Sequence, residues 1–220
     1  MDEHELMDLV SRMFPTADDV GRFDGTPPSA SVRQGIHTLG YVFYTSDVSP
    51  IPAYSGKPIN ALVGLDMQGN ILGVHIVHHE EPILVVGLSS RDLEKFTDQY
   101  KHIPASADIR INGRSEPDQV VLDGISGATI TTMVLNRTIS KSAKMVAAAR
   151  GLISKDAAAT SLNRVDQQPL WKTIWLNERI NIVILCIALV VLFVILLIQD
   201  WLARHPRLLL RVRTGYLIFT

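Results

Sequence analysis

Hydrophobic and polar positions alternate with different periods along this chain, and each period predicts an element. Residues 5–14 (ELMDLVSRMF) carry a helical stripe that Pro15 and Thr16-Ala17-Asp18-Asp19 break. Residues 39–44 (LGYVFY), 59–65 and 71–79 are apolar runs of strand length. The last two flank Asp66-Met67-Gln68-Gly69-Asn70, whose residues favour a tight reversal, so they predict an antiparallel hairpin. Ser90, followed by Arg91-Asp92-Leu93-Glu94, predicts a helix capped by Ser90 and running to about Tyr100. Residues 104–118 read as loop, and 120–122 as a short strand. From 130 to 153, Leu135, Ile139, Ala143, Val146, Ala149 and Ile153 recur at spacings of three and four, which predicts a long helix. No internal repeat is present, and the order of elements is not a regular βαβ series. The predicted fold class is α+β, with an antiparallel sheet and flanking helices.

One run differs from all the others. Residues 180–198 (INIVILCIALVVLFVILLI) hold one polar side chain, Asn181, and no charge. At ~1.5 Å per residue they span about 28 Å, close to the ~30 Å of a bilayer core, and they predict a transmembrane helix. Trp171 and Trp175 precede the run and Trp201 follows it, as interfacial aromatics do. The expected division is an N-terminal helical and loop segment (1–29), a globular domain (30–153), a linker (154–179) and the membrane helix (180–199). A basic segment, 200–220, follows and begins a second hydrophobic stretch.

This run also accounts for the composition, which is 47% hydrophobic. The 21 Lys and Arg nearly balance the 22 Asp and Glu, which excludes a basic nucleic-acid binder and an acidic disordered chain. The local balance is uneven. Residues 1–170 hold 15 basic and 20 acidic side chains, whereas Arg204, Arg207, Arg211 and Arg213 follow the span with no acid after Asp200. The positive-inside rule then places the C-terminus in the cytoplasm and the larger domain outside, in the periplasm of a bacterial inner membrane. The N-terminus lacks a basic-then-apolar leader, and the C-terminus stops inside LLLRVRTGYLIFT, so the expectation is a chain continuing at both ends. A one-span protein with a short tail is the alternative. The single Cys186 lies within the span, reads as an apolar residue, and excludes a disulfide framework or a Cys-ligated cluster in this chain.

The candidate chemistry lies in Asp123-Gly124-Ile125-Ser126-Gly127-Ala128-Thr129, just before the long helix. Ser126, Gly127 and Ala128 are small and allow close approach to the backbone. Thr129 stands at the expected N-cap, where free N–H groups and the helix dipole favour a phosphate. Thr131 and Thr132 add hydroxyls in the first turn. On local chemistry alone, an ordinary glycine-containing loop with a Thr cap is the better reading, because capping Thr is common.

Asp-x-x-Ser-Gly-Ala-Thr resembles the flavinylation motif of FMN-binding domains. These occur in the sodium-pumping quinone reductase and Rnf complexes and in the NosR/NirI proteins of nitrous oxide respiration and denitrification. In those families a separate transferase takes FAD and attaches FMN to the motif threonine through a phosphoester. The resemblance implies covalent FMN on Thr129, with Asp123, Ser126, Gly127 and Ala128 matching the pattern. A second stretch is similar to the sheet region of the same domains: Tyr54-Ser55-Gly56-Lys57-Pro58-Ile59, the hairpin, and His79-Glu80-Glu81-Pro82. It implies Glu81 and Pro82 as neighbours of the flavin ring. The resemblance covers residues 30–150. The anchor follows the flavin domain here, as in NosR/NirI, rather than preceding it as in the quinone-reductase and Rnf subunits.

The expected function is therefore a membrane-anchored, electron-transferring flavoprotein with no substrate-transforming catalytic residues. It would support the activity, maturation or expression of a periplasmic nitrous oxide reductase. Expected partners are the membrane, a flavin transferase, that reductase and electron donors, with no nucleic acid. An Rnf-like electron-transfer subunit and a non-redox transmembrane sensor are the alternatives. His75, His78 and His79 read as solvated sheet residues rather than metal ligands, because neighbouring strand residues face opposite ways. Ser126 lacks the Gly-x-Ser-x-Gly setting of a hydrolase nucleophile.

Overall fold

The predicted hairpin forms one end of the sheet. In the computed structural model, which describes residues 3–53, 55–81, 89–112, 119–154 and 183–197, β4 (Asn60–Asp66) and β5 (Ile71–His78) pair antiparallel. Their turn is closed by Asp66, whose carboxylate accepts the Gln68 and Asn70 N–H groups at 2.9 and 2.7 Å. On the other side of β4 lies β3 (His37–Tyr44), then β2 (Ala30–Gln34) and the two-residue β1 (Asp19–Val20). All neighbours in this five-stranded sheet are antiparallel and sequential.

Alternation along the strands gives the sheet two apolar faces. Ala61, Val63 and Leu65 of β4 join Phe43, Ile71 and Val74 on one face. That face is covered by α3 (Ser90–Asp98), through Phe96, and by α4 (Thr129–Ala149), through Leu135, Ile139, Ala143 and Val146. Leu62, Val42, Val32 and Ala30 form the other face, under Leu9, Val10 and Phe14 from α1 (Glu3–Met13) and the residue after it. The sheet is bare where α1 ends. Gly64 pairs with Gly73 on β5, and Gly40 lies alongside. A Cβ on Gly73 would lie 2.8 Å from Met13 Cγ, and one on Gly40 2.8 Å from Phe14 Cε1. These missing side chains are what let Met13 and Phe14 lie directly on the backbone of the sheet.

β6 (Asp108–Ile111) and β7 (Gln119–Leu122) form a separate, parallel two-stranded sheet. The expected loop over 104–118 therefore contains a strand. Its four residues are too short to show periodicity, and its pairing with β7 holds it in place. α2 (Thr45–Val48) is a single turn after β3. The long helix begins at Thr129, as expected to within a residue, but ends at Ala149 rather than 153. Gly151 turns left-handed (φ 71°), and Leu152 donates back to the Ala147 carbonyl at 2.8 Å. Arg150 then reaches the segment before β2. Its guanidinium donates to Ser29 Oγ at 2.7 Å and Asp24 Oδ1 at 2.6 Å and lies over the Tyr41 ring.

Leu170–Thr220 form a separate unit. Of its apolar run, residues 183–197 are helical with exposed side chains. Among the described residues no helix is long and apolar enough to cross a membrane. Trp171, Trp175, Trp201, the linker from 155 to 179 and the basic segment 200–220 lie outside the described residues.

Candidate functional site: the loop before α4

The loop that joins β7 to α4 carries the Asp123–Thr129 stretch, and its conformation explains the small residues. Gly124 has no room for a side chain, since a Cβ would come within 2.7 Å of Asn112 Nδ2 and 2.8 Å of Ile111 Cγ2. Gly127 is the opposite case. Its φ of 81° is left-handed and nothing lies within 4 Å of where a Cβ would be, so glycine is required by the backbone alone. Ser126 is exposed beside it. Ala128 closes a turn onto Ile125, N–H to carbonyl at 3.0 Å, and packs with Leu93 of α3, in a cluster with Ile76 of β5.

The expected N-cap shifts by one residue. Ala128 is the cap, and it has no side-chain acceptor, so Thr129 becomes the first helical residue. The three threonines of this turn then differ sharply. Thr131 is 2% exposed and donates its hydroxyl to Glu81 Oε2 at 2.8 Å. Thr132 is fully buried and turns its hydroxyl back to the Ala128 and Thr129 carbonyls, both at 3.0 Å. Thr129 is half-buried, and its hydroxyl makes no hydrogen bond among the described residues. The first turn carries no acidic residue. With Ala128 unable to cap, the N–H groups of Thr129, Ile130 and Thr131 find no acceptor among the described residues. Such a helix start is receptive to an anion, and its donor set fits a phosphate ester on Thr129 Oγ.

Glu81 joins the two stretches that sequence treats separately. It is 4% exposed; Oε1 accepts the Ser55 N–H at 2.8 Å while Oε2 accepts from Thr131. Its carboxyl group thus ties the 55–59 segment and the end of β5 to the first turn of α4. Tyr54 and Pro82 lie outside the described residues. Asp123 is exposed, and it is its backbone that meets Gln99.

Between β5 and α3 opens a cleft of about 280 Å³, near the small end of the ~300–1,000 Å³ usual for ligand sites. His75, Ile76, His78, His79, Leu93 and Glu94 are among its walls. Leu93 also packs with Ala128, so the cleft adjoins the loop directly. A bulge opposite Asn60–Ala61 interrupts the strand before His78, and His79 follows the strand end; both residues border the cleft. Among the described residues no group of three or more His, Cys, Asp or Glu side chains is placed to hold a metal. Outside the cleft, Lys57 donates to Glu80 at 2.5 Å and holds the exposed Glu80 carboxyl below its usual range, with His78 adding to the effect.

α3, which sequence reasoning set aside as a plain helix start, forms one wall. Its N-cap is Ser89, not Ser90. Ser89 N–H and Oγ both donate to Asp92 Oδ2, at 3.0 and 2.8 Å, and these bonds hold the Asp92 carboxyl below its usual range.

The FMN-binding domain family matches residues 54–144. "Regulatory protein NosR" of Pseudomonas aeruginosa is 36% identical over 167 residues, which are 76% of this chain and 23% of that protein. "Protein NirI" of Paracoccus denitrificans is 33% identical over 125 residues, 57% of this chain and 18% of that protein. Among solved structures, Shewanella oneidensis NqrC is a distant likeness, with a TM-score of 0.38 and 15% identity over 76% of this chain and 79% of that one. The chain spans less than a quarter of the length of the curated relatives it matches. It belongs to the NosR/NirI family and contains that family's FMN-binding domain.

Proposed function

We propose that this chain is the flavin-carrying part of a membrane-anchored electron-transfer protein, with FMN held covalently through its phosphate on Thr129. The observation that carries this reading is the contrast among the first-turn hydroxyls of α4. Those of Thr131 and Thr132 are consumed internally, and that of Thr129 is free at an uncapped helix start.

FMN bound there supplies reversible one- and two-electron transfer. The protein groups have simpler tasks. The N–H groups at 129–131 and the helix dipole offset the phosphate charge. Gly127 and Ser126 leave space beside it. Glu81 fixes the turn from behind through Thr131, and the cleft along β5 offers the adjoining surface for a planar ring. A covalent link would retain the flavin outside the cytoplasm, where a loosely held one is lost.

The apolar run at 180–198 is the proposed anchor, with its basic C-terminal flank in the cytoplasm and the flavin domain in the periplasm of a bacterial inner membrane. Similarity to proteins named as regulatory supports a regulatory role; the proposed target is a nitrous oxide reductase, and the proposed maturation partner is a flavin transferase.

The test is to express the full chain with and without a flavin transferase, denature it, and look for flavin fluorescence comigrating with it. A mass gain equal to FMN less one water should accompany the signal. Label that requires the transferase and disappears in Thr129→Val is the expected result. No label in any lane, beside a working control protein, overturns covalent attachment.

A further inference from the structure

The motif loop runs from Asp123 to Ala128, between β7 and α4, and must present Thr129 Oγ to another protein. Its backbone is gripped by two side-chain amides that belong to neither the motif nor the sheet core. Gln99, the residue that caps the C-terminus of α3, uses both ends of its amide on one residue. Oε1 accepts the Asp123 N–H at 2.8 Å and Nε2 donates to the Asp123 carbonyl at 3.0 Å. The Asp123 N–H fixes which end of the Gln99 amide is the oxygen. Asn112, just past β6, accepts the Gly124 N–H on Oδ1 at 2.7 Å. It does so from a left-handed backbone (φ 48°) held by its own N–H bond to the Leu122 carbonyl at 3.0 Å. Asparagine tolerates that conformation better than most residues. The far end of the loop is pinched by apolar contact, Ile125 and Ala128 against Leu93. α3 therefore holds the loop at both ends, by Gln99 at Asp123 and by Leu93 at Ala128.

We infer that Gln99 and Asn112 are positioning residues for modification of Thr129, holding the 123–128 backbone in the one arrangement that a flavin transferase reads. The inference rests on Thr129 being the FMN acceptor. In the transfer, Thr129 Oγ bonds to the FMN phosphorus of FAD as the pyrophosphate bond breaks. AMP leaves with the bonding pair, and the hydroxyl proton passes to a base of the transferase. Gln99 and Asn112 touch none of these atoms. They raise the fraction of chains whose loop is competent before the transferase arrives. Losing the clamp lowers that fraction and raises the apparent dissociation constant of the acceptor in proportion.

The experiment uses the full chain as the acceptor, with purified transferase and FAD, and measures initial flavinylation rates against acceptor concentration. Gln99→Ala and Asn112→Ala should each raise the acceptor KM about tenfold and leave kcat within about twofold, as expected for losing a bond or two that order a loop. Gln99→Glu keeps an acceptor for the Asp123 N–H and should recover part of the loss. Hydrogen exchange on the same variants reads the clamp without any flavin. The Asp123 amide should exchange faster in Gln99→Ala and the Gly124 amide faster in Asn112→Ala, with the amides of residues 135–146 unchanged.

A KM within twofold of wild type in both alanine variants overturns the inference. So does faster exchange throughout α4, which would make the effect one of general stability. A wild-type chain that takes no label overturns the Thr129 assignment and this inference with it. A labelled wild type with indifferent variants overturns this inference alone.

Discussion

The bond between Thr131 and Glu81 can be removed almost without changing shape. Thr131→Val replaces a hydroxyl by a methyl at a site 2% exposed, on a helix where valine and threonine have similar propensity. The Glu81 carboxyl loses the donor at 2.8 Å on Oε2 and keeps the Ser55 N–H on Oε1. A hydrogen bond from a hydroxyl to a buried carboxylate contributes about 1.5–3 kcal/mol. The added apolar contact offsets a few tenths, so the expected loss is ~1.5–2.5 kcal/mol. For a domain of this size that lowers Tm by about 4–8 °C. Urea unfolding followed by circular dichroism measures it, with an unchanged m-value showing that the folded and unfolded states are otherwise alike. Thr131→Ser keeps the donor and should lose less than half as much. A loss below about 0.5 kcal/mol in Thr131→Val would show that Glu81 does not hold the start of α4, and the account of how the two motif stretches are joined would fail.

Two further predictions concern the same helix. Tyr100 is fully buried, and desolvation raises its phenol pKa well above the ordinary 10.0. Its stabilising contribution is complete below the unfolded value and is lost as pH rises toward the folded one, by about 1.4 kcal/mol per pH unit. Tyr100→Phe gives up the bond to Asn136 Oδ1 at 2.8 Å, costing about 0.5–1.5 kcal/mol at neutral pH. The difference from wild type should shrink above pH 10, and parallel stability curves there would sink the argument. Thr138 and Ser142 bury hydroxyls that have no partner among the described residues. Thr138→Val should therefore be neutral or stabilising by up to about 1 kcal/mol, and a clear loss in urea unfolding would point to a partner not yet identified.

How much was legible varies with the range of the interaction. The hairpin β4–β5 was readable because its strands and its turn agree locally, and α4 because a stripe of five turns admits no other element. β6 was not readable, since DIRI is four residues long and becomes a strand only beside β7. The Ser89 cap was within reach: Asp92 lies three residues after Ser89, the spacing of a capping box, and not three after Ser90. The Thr129 cap failed for a physical reason. Ala128 packs against Leu93 and takes the cap position, and the helix starts one residue earlier, at Thr129. Motif residues were legible through resemblance, but Ser55 meeting Glu81, and Gln99 meeting Asp123, join backbone to side chain over 26 and 24 residues. Backbone partners leave no pattern in a sequence.

The bare patch beneath α1 makes the two faces of the sheet unequal in what they tolerate over evolutionary time. Toward α4, Ala61, Val63, Leu65 and Ile139 offer side chains that can shrink or grow in compensation, and such faces drift by paired exchange. At Gly40 a Cβ would lie 2.0 Å from the Leu65 carbonyl oxygen, so the sheet itself forbids exchange; at Gly64 and Gly73 every exchange adds atoms against Met13 or Phe14. Compensation there must come from the helix side alone. Met13 is the natural relief valve, because its unbranched thioether is the one neighbour that can bend away. The same residue is then a point of chemical vulnerability. Oxidation of its sulfur would place a polar oxygen against the backbone of the sheet and would loosen α1, on the face opposite α4.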